Sequence, residues 1–284
     1  MSRIGIVCDS TCDLGPAWCE DHDVVMVPLK VLFGEETFLD WIDLSPEQFY
    51  EKLGSSAVLP KTSQPSPADF AAAYSELAES GCEAVVSIHL TSALSGTFES
   101  ATMAAADSAI PVHIVDTKLV SQATALVVKA AVAARDAGQD AEAVAARATD
   151  VAARTRLFFV LDTLEYLVKG GRAGKAAGLA ASVLNIKPIL TFNDEGKIEP
   201  FKKVKGSRKA YAELASHVAS QTEEHGHLTM SLLYGGSSEI TEELQAAIKA
   251  TGADVEIESS GAIGAVIGTY AGPGAVGCAF YPTE

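Results

Sequence analysis

The sequence has no run of about 18 consecutive apolar residues and no charged leader ahead of a short apolar core. Met1 is followed almost at once by the strand-like Ile4-Gly5-Ile6-Val7, so the chain is expected to be cytoplasmic and unanchored. Basic residues are scarce. There are 21 Lys and Arg against 37 Asp and Glu, a formal net charge of -16. Such a field repels a nucleic-acid backbone or an anionic surface, which excludes nucleic acid as a partner and leaves a membrane at most transient contact through a local basic patch. The five cysteines (Cys8, Cys12, Cys19, Cys82, Cys278) lack paired metal-ligand spacing and are odd in number, so neither a metal nor a disulfide framework is assigned. Three of them lie near the first strand, where small buried residues fit, and a reducing compartment suits them. Low-complexity linkers and short repeats are also missing.

What is present is a chain of 284 residues, 48% hydrophobic, long enough for about two domains. Its first half alternates short apolar runs (4–8, 24–27, 84–88, 112–115) with amphipathic stretches, the pattern of βαβ units around a parallel sheet. Ser45-Pro46-Glu47-Gln48 and Ser66-Pro67-Ala68-Asp69 each offer an N-cap, a proline at the first helical position and a polar residue three places after the cap. Alanine-rich sequence over 123–154 predicts two helices broken near Gly138, and Leu157-Phe158-Phe159-Val160-Leu161 a buried strand. The boundary between an N-terminal α/β domain (1–156) and a C-terminal α+β domain (157–284) is placed there. Further on, 188–192 and 197–204 read as a hairpin about Asn193-Asp194-Glu195-Gly196. Helices over 207–223 and 238–249 and strands over 228–234, 255–258 and 275–281 complete the expected set.

In a parallel sheet ligands bind beyond the carboxyl ends of strands, so the following loops are where function is sought. Four are hydroxyl-rich: Asp9-Ser10-Thr11-Cys12-Asp13, Thr62-Ser63-Gln64-Pro65, Thr91-Ser92-Ala93-Leu94-Ser95-Gly96-Thr97 and Asp116-Thr117-Lys118. Ser10, Thr11 and Asp13 are first of all caps and turn formers, and Asp9 is either a cap or an orienter of Ser10 or of the Ser95 loop. Ser95-Gly96-Thr97 leans further toward ligand, because glycine at a helix start lets backbone N–H groups approach an anion beside the hydroxyls. A carboxylate suits it, and phosphate cradling stays open. The P-loop lysine and the Gly-x-Ser-x-Gly elbow are both missing. Arg172, after Gly170-Gly171 and between Lys169 and Lys175, is either solvated or a forked donor to an anionic partner. The late glycines from Ile263 to Gly274 allow close backbone approach, a tight turn or plain helix-to-strand packing. His225-Gly226-His227 reads as a solvated turn, and His89 and His113 as hydrogen-bonded core or rim residues.

Six segments in order, Asp9-Ser10-Thr11-Cys12-Asp13-Leu14, Thr62-Ser63-Gln64-Pro65, Ser95-Gly96-Thr97, Leu164-Glu165-Tyr166-Leu167 with Gly170-Gly171-Arg172, Lys187-Pro188-Ile189-Leu190, and Ile267-Gly268-Thr269 with Gly272-Pro273-Gly274, resemble the DegV family. That family includes the fatty-acid-binding subunits of bacterial fatty acid kinase. The resemblance implies an α/β fold of two domains, a parallel sheet flanked by helices and an α+β domain with a mixed sheet, with a long-chain fatty acid in a tunnel between them. It implies a carboxylate held by Thr62 and Ser95 with help from backbone N–H groups near Gly96 and Thr97, Ser63 as a further ligand-binding residue, and a non-catalytic protein with no cofactor of its own. It also implies a separate kinase subunit that phosphorylates the presented acid to an acyl phosphate, with Arg172 on the kinase-facing side.

The sequence departs from the version of the late motif often found in kinase-linked relatives, which carries histidine where Tyr270 stands. A tyrosine hydroxyl donates one hydrogen bond without changing charge near neutrality, and Tyr270 is kept as a ligand contact. Two other readings stand beside the carrier. One is a hydrolase or phosphoryl transferase with Ser95 as nucleophile and the Gly96 and Thr97 amides as an oxyanion site. The other is a lipid-sensing regulator read by a partner through Arg172.

Overall fold

The computed structural model describes residues 3–179 and 186–283. Strand β1 (Ile4–Asp9) is buried along its whole length, as a central strand covered on both faces must be. It pairs in parallel with β2 (Val24–Val27), which follows helix α1 (Gly15–Asp21). Next in the chain come two short strands, β3 (Lys30–Phe33) and β4 (Glu36–Leu39), and helix α2 (Pro46–Ser55). They are followed by β5 (Lys61–Ser63), helix α3 (Pro67–Glu79), β6 (Ala84–His89), helix α4 (Thr97–Ala106) and β7 (Val112–Asp116). The parallel sheet has the order β2-β1-β6-β7.

Both expected capping boxes form. The Ser45 and Ser66 side chains accept the N–H of Gln48 and Asp69, whose own side chains return to the cap backbone. Phe70, Tyr74 and Leu77 then fall on one face of α3, which packs with Ala101 of α4 against the outer side of the parallel sheet.

The alanine-rich stretch forms α5 (Gln122–Asp136) and α6 (Ala141–Arg154), which lie between the two main sheets. Small side chains permit that position, since Leu126, Val127 and Ala131 share one core with Ile6 and Ile88 on one side and Leu157 and Phe159 on the other. The second sheet starts with β8 (Arg156–Val160), after which helix α7 (Glu165–Lys169) leads on to the β9 (Ile186–Phe192) and β10 (Ile198–Lys205) hairpin. Helix α8 (Ser207–His225), β11 (Leu228–Tyr234), helix α9 (Ile240–Ala250), β12 (Val255–Ala262), helix α10 (Ala265–Ala271) and β13 (Val276–Pro282) follow. The order is β10-β9-β8-β13-β11-β12, mixed because only β11 and β12 run parallel. Helices α8 and α9 cover its far face.

One feature differs from the sequence reading, and two decide between alternatives it left open. Thr62 and Ser63 lie not in a loop but in β5, which joins β3 and β4 in a separate three-stranded antiparallel sheet. The late glycine-rich segment contains α10, packed with α2 and β3 around Phe49 and Val266. Asp9 orients neither Ser10 nor the Ser95 loop. It caps the short 3-10 turn Ser10–Cys12 and accepts from Leu90 N–H, while its other contact is His89 Nδ1 at 3.1 Å. These bonds satisfy a carboxylate that is fully buried.

Candidate functional site

Helix α10 is the pivot of the site, and its position is set from the other half of the chain. Gly264 N–H donates to Asp13 Oδ1 at 2.9 Å and Ala265 N–H to Asp40 Oδ1 at 2.9 Å. Two carboxylates thus satisfy amides that the first turn leaves unpaired. Ser121 Oγ and Trp41 Nε1 also donate to Asp13, and Ser10 Oγ donates to Asp40. Burial dominates the proton affinity of both acids. It raises Asp13 well above the ordinary carboxylate range and Asp40 to about 7, against the lowering effect of their donors. Gly264 has to be glycine, because a Cβ there would lie 2.3 Å from Trp41 Nε1.

At the other end of α10 stands Tyr270. Its hydroxyl lies 2.5 Å from Thr62 Oγ1, and the Arg172 guanidinium lies over its ring at 5.0 Å. Arg172 is exposed, and its Nη1 donates to Gly170 O at 2.8 Å. Gly170 leaves room for the ring, since a Cβ on it would come 2.4 Å from Tyr270 Cδ1. Gln64, directly after β5, donates to Gly96 O at 3.2 Å and Ser100 Oγ at 3.1 Å, which ties the Thr62 strand to the Ser95 loop.

These groups surround part of a cavity of about 580 Å³. Thr62, Ser63, Gln64, Ser95, Gly96, Arg172 and Tyr270 are in its lining, and much of the rest is apolar, including Leu29, Leu90, Val120, Phe159, Leu161 and Val266. The volume and the few convergent polar groups are those of a small-molecule site. The structure therefore brings together six of the seven residues singled out from sequence. The seventh, Thr97, is buried and does not line the cavity. Its N–H donates to Ser95 Oγ at 3.3 Å and its hydroxyl lies 2.9 Å from the same oxygen.

No imidazole or carboxylate hydrogen bonds Ser95 Oγ among the described residues, so the serine has no base beside it. His89 Nε2 is engaged by Ser87, His227 pairs with Asp254, and no group of three His, Cys, Asp or Glu side chains among the described residues could hold a metal. Gln64, Asp40, Trp41 and Gly170 were missed as contributors. Gln64 and Gly170 stand inside motifs already noted, whereas Asp40 and Trp41 have no local signal, because each acts on a segment far along the chain.

The DegV family model, described as an uncharacterised protein family, matches residues 3–283. The chain belongs to the DegV family. It is 39% identical over 283 residues to a DegV domain-containing protein of Deinococcus radiodurans, covering 98% of each chain. It is 34% identical over 279 residues to Protein DegV of Bacillus subtilis, covering 97% of this chain and 98% of that one. Among solved structures, a DegV family protein of Thermus thermophilus described by its fatty acid binding superposes with a TM-score of 0.92 at 34% identity, covering 99% and 100% of the two chains. DegV of Bacillus subtilis, described as a fatty acid binding protein, gives 0.87 at 31% identity with full coverage of both (100% and 100%). A stearic acid-binding protein of Eubacterium ventriosum gives 0.90 at 29% identity, covering 99% and 98%. The mixed α/β architecture expected from the motifs is thus that of solved DegV structures. No helix among the described residues is long and apolar enough to cross a membrane.

Proposed function

We propose that this DegV protein binds one long-chain fatty acid in the cavity, with the carboxylate at Thr62, Ser95 and Tyr270 and the acyl chain along the apolar walls. The observation that carries this is the pairing of Thr62 with Tyr270 at the edge of an apolar cavity. Two hydroxyls have two hydrogens. Their mutual contact uses one, and the other is available to an anionic acceptor. Burying about fifteen methylenes at about 0.8 kcal/mol each gives roughly 12 kcal/mol, comparable with association costs of about 4–15 kcal/mol. Head-group bonds of about 1.5–3 kcal/mol each then decide the affinity. Hydroxyls suit this task, because a buried ammonium would carry its own desolvation cost.

The proposal extends to a carrier without turnover that presents its acid to a kinase subunit, with Arg172 as the contact. Arg172 is exposed and stacks on the Tyr270 ring, which supports it as the contact with a partner. We propose as well that the chain divides into domains 1–156 and 157–284 with the ligand between them, and that it works in a reducing cytoplasm. The five cysteines, all buried and unpaired, support the last reading. The test is mass spectrometry of small molecules extracted from protein purified without added lipid, followed by calorimetric titration of delipidated protein with palmitate. Co-purified long-chain acids and saturable binding are expected. Delipidated protein that binds no long-chain acid would overturn the proposal.

A further inference from the structure

A second cleft, of about 340 Å³, lies against the first cavity, and Leu157 and Phe192 line both. Which end of the first cavity they close follows from strand geometry. Leu157, Phe159 and Leu161 are alternate residues that line the cavity from β8 and the position just after it, so at about 3.3 Å per residue Leu157 stands roughly 13 Å from Leu161. The Leu161 end is the polar end. Asp162 packs against Gly274, close in sequence to Tyr270, and the chain continues into α7 and then to Arg172. Leu157 and Phe192, the last residue of β9, therefore close the end remote from Tyr270 and Arg172. Phe192 is half-buried and packs on Phe159 with ring centroids 6.1 Å apart.

Beyond this wall the cleft is lined by Leu119, Ala152 and Ala153 together with three threonines, Asn193 and the carboxylates of Asp116 and Asp194. Its cations are engaged by backbone. Lys118 Nζ donates to Asp194 O, and Arg156 Nη1 to Ala153 O and Thr155 O. The carboxylates of Asp116 and Asp194 in the same lining oppose a second anionic head group, whereas Leu119, Ala152 and Ala153 offer an alkyl end an apolar patch.

Resting on the fatty-acid reading above, we infer that Phe192 is a specificity-determining residue: its ring is the stop that sets acyl length, and the second cleft is the space a longer chain enters when that ring is removed. The test compares delipidated wild type, Phe192→Ala and Phe192→Trp against straight-chain saturated acids from myristic to behenic. In Phe192→Ala the optimum moves to longer acids, and binding of behenic acid tightens by about tenfold or more, the scale set by a few methylenes in an apolar pocket. Phe192→Trp moves the optimum to shorter acids. A folded Phe192→Ala protein with the wild-type order of affinities overturns the inference, as does a Phe192→Trp variant with that order if the alanine variant does not fold. Wild type that binds no member of the series overturns the fatty-acid reading itself, a result distinguishable from an unchanged length profile.

Discussion

Thr62 Oγ1 and Tyr270 OH lie 2.5 Å apart although 208 positions separate them in the chain. One belongs to a three-residue strand of the first half and the other to a short helix of the second. Their contact joins the two halves at the cavity, so it couples the geometry of the fold to the proposed head-group site.

Removing either hydroxyl with little change of shape tests that coupling. Thr62→Val and Tyr270→Phe are each expected to weaken fatty-acid binding by roughly tenfold or more, the loss of one hydrogen bond to a charged acceptor. The double variant should lose less than the product of the two, because the hydroxyls act as a pair. Calorimetry on the three variants measures this, and unchanged affinity in Tyr270→Phe would take that residue out of the site.

Gly170→Ala probes the room left for the aromatic ring. Gly170 has an ordinary helical backbone, so alanine is conformationally acceptable, but its Cβ would sit 2.4 Å from Tyr270 Cδ1. The ring has to move. Fatty-acid affinity should fall by about tenfold, as for the lost hydroxyl, while the thermal midpoint changes by only a few degrees. A variant with wild-type affinity would show that ring placement does not matter.

The buried Asp40 predicts a dependence of stability on pH. Burial raises it to about 7, so the folded protein keeps a proton that the unfolded chain releases near pH 4. The folded state binds more protons in that window, and stability should therefore fall as pH rises from about 4 to about 7. Asp40→Asn removes this contribution, up to roughly 4 kcal/mol across the window, and flattens the slope without abolishing it, since Asp13 is raised as well. Urea midpoints between these pH values provide the measurement, and equal slopes in both proteins would contradict the assignment.

Arg172→Glu separates carrying from presentation. The side chain is exposed and its stacking partner remains, so acid binding should stay within about threefold of wild type. Phosphorylation of the bound acid by a cognate kinase should drop by about tenfold or more, the range of a charged hot spot reversed in sign. Equal turnover of both proteins in the coupled assay would remove Arg172 from the partner surface.

Much of the fold was legible because its signals are local. Ser45 and Ser66 announce α2 and α3 through caps that need only four residues, and the apolar runs around Ile4 and Ala84 are central strands buried on both faces, flanked by the half-buried runs around Val24 and Val112. The family motifs likewise pointed to Thr62, Ser95 and Tyr270. The separate β3-β4-β5 sheet was not legible. Its strands are three or four residues long, and β5 exists only because Thr62 finds Val31 across a pairing that no local pattern encodes.

The sequence by itself determined the caps, the buried strands, the alanine-rich helices thin enough to lie between two sheets, and the supply of hydroxyls for an anion. Only the tertiary structure decided which hydroxyls meet. Asp13 and Asp40 reach across 251 and 225 positions to hold the start of α10, and so place Tyr270 over Thr62. That outcome depends on amides at the start of α10 and on two carboxylates that must find donors once buried, a requirement met only when the whole chain has closed around them.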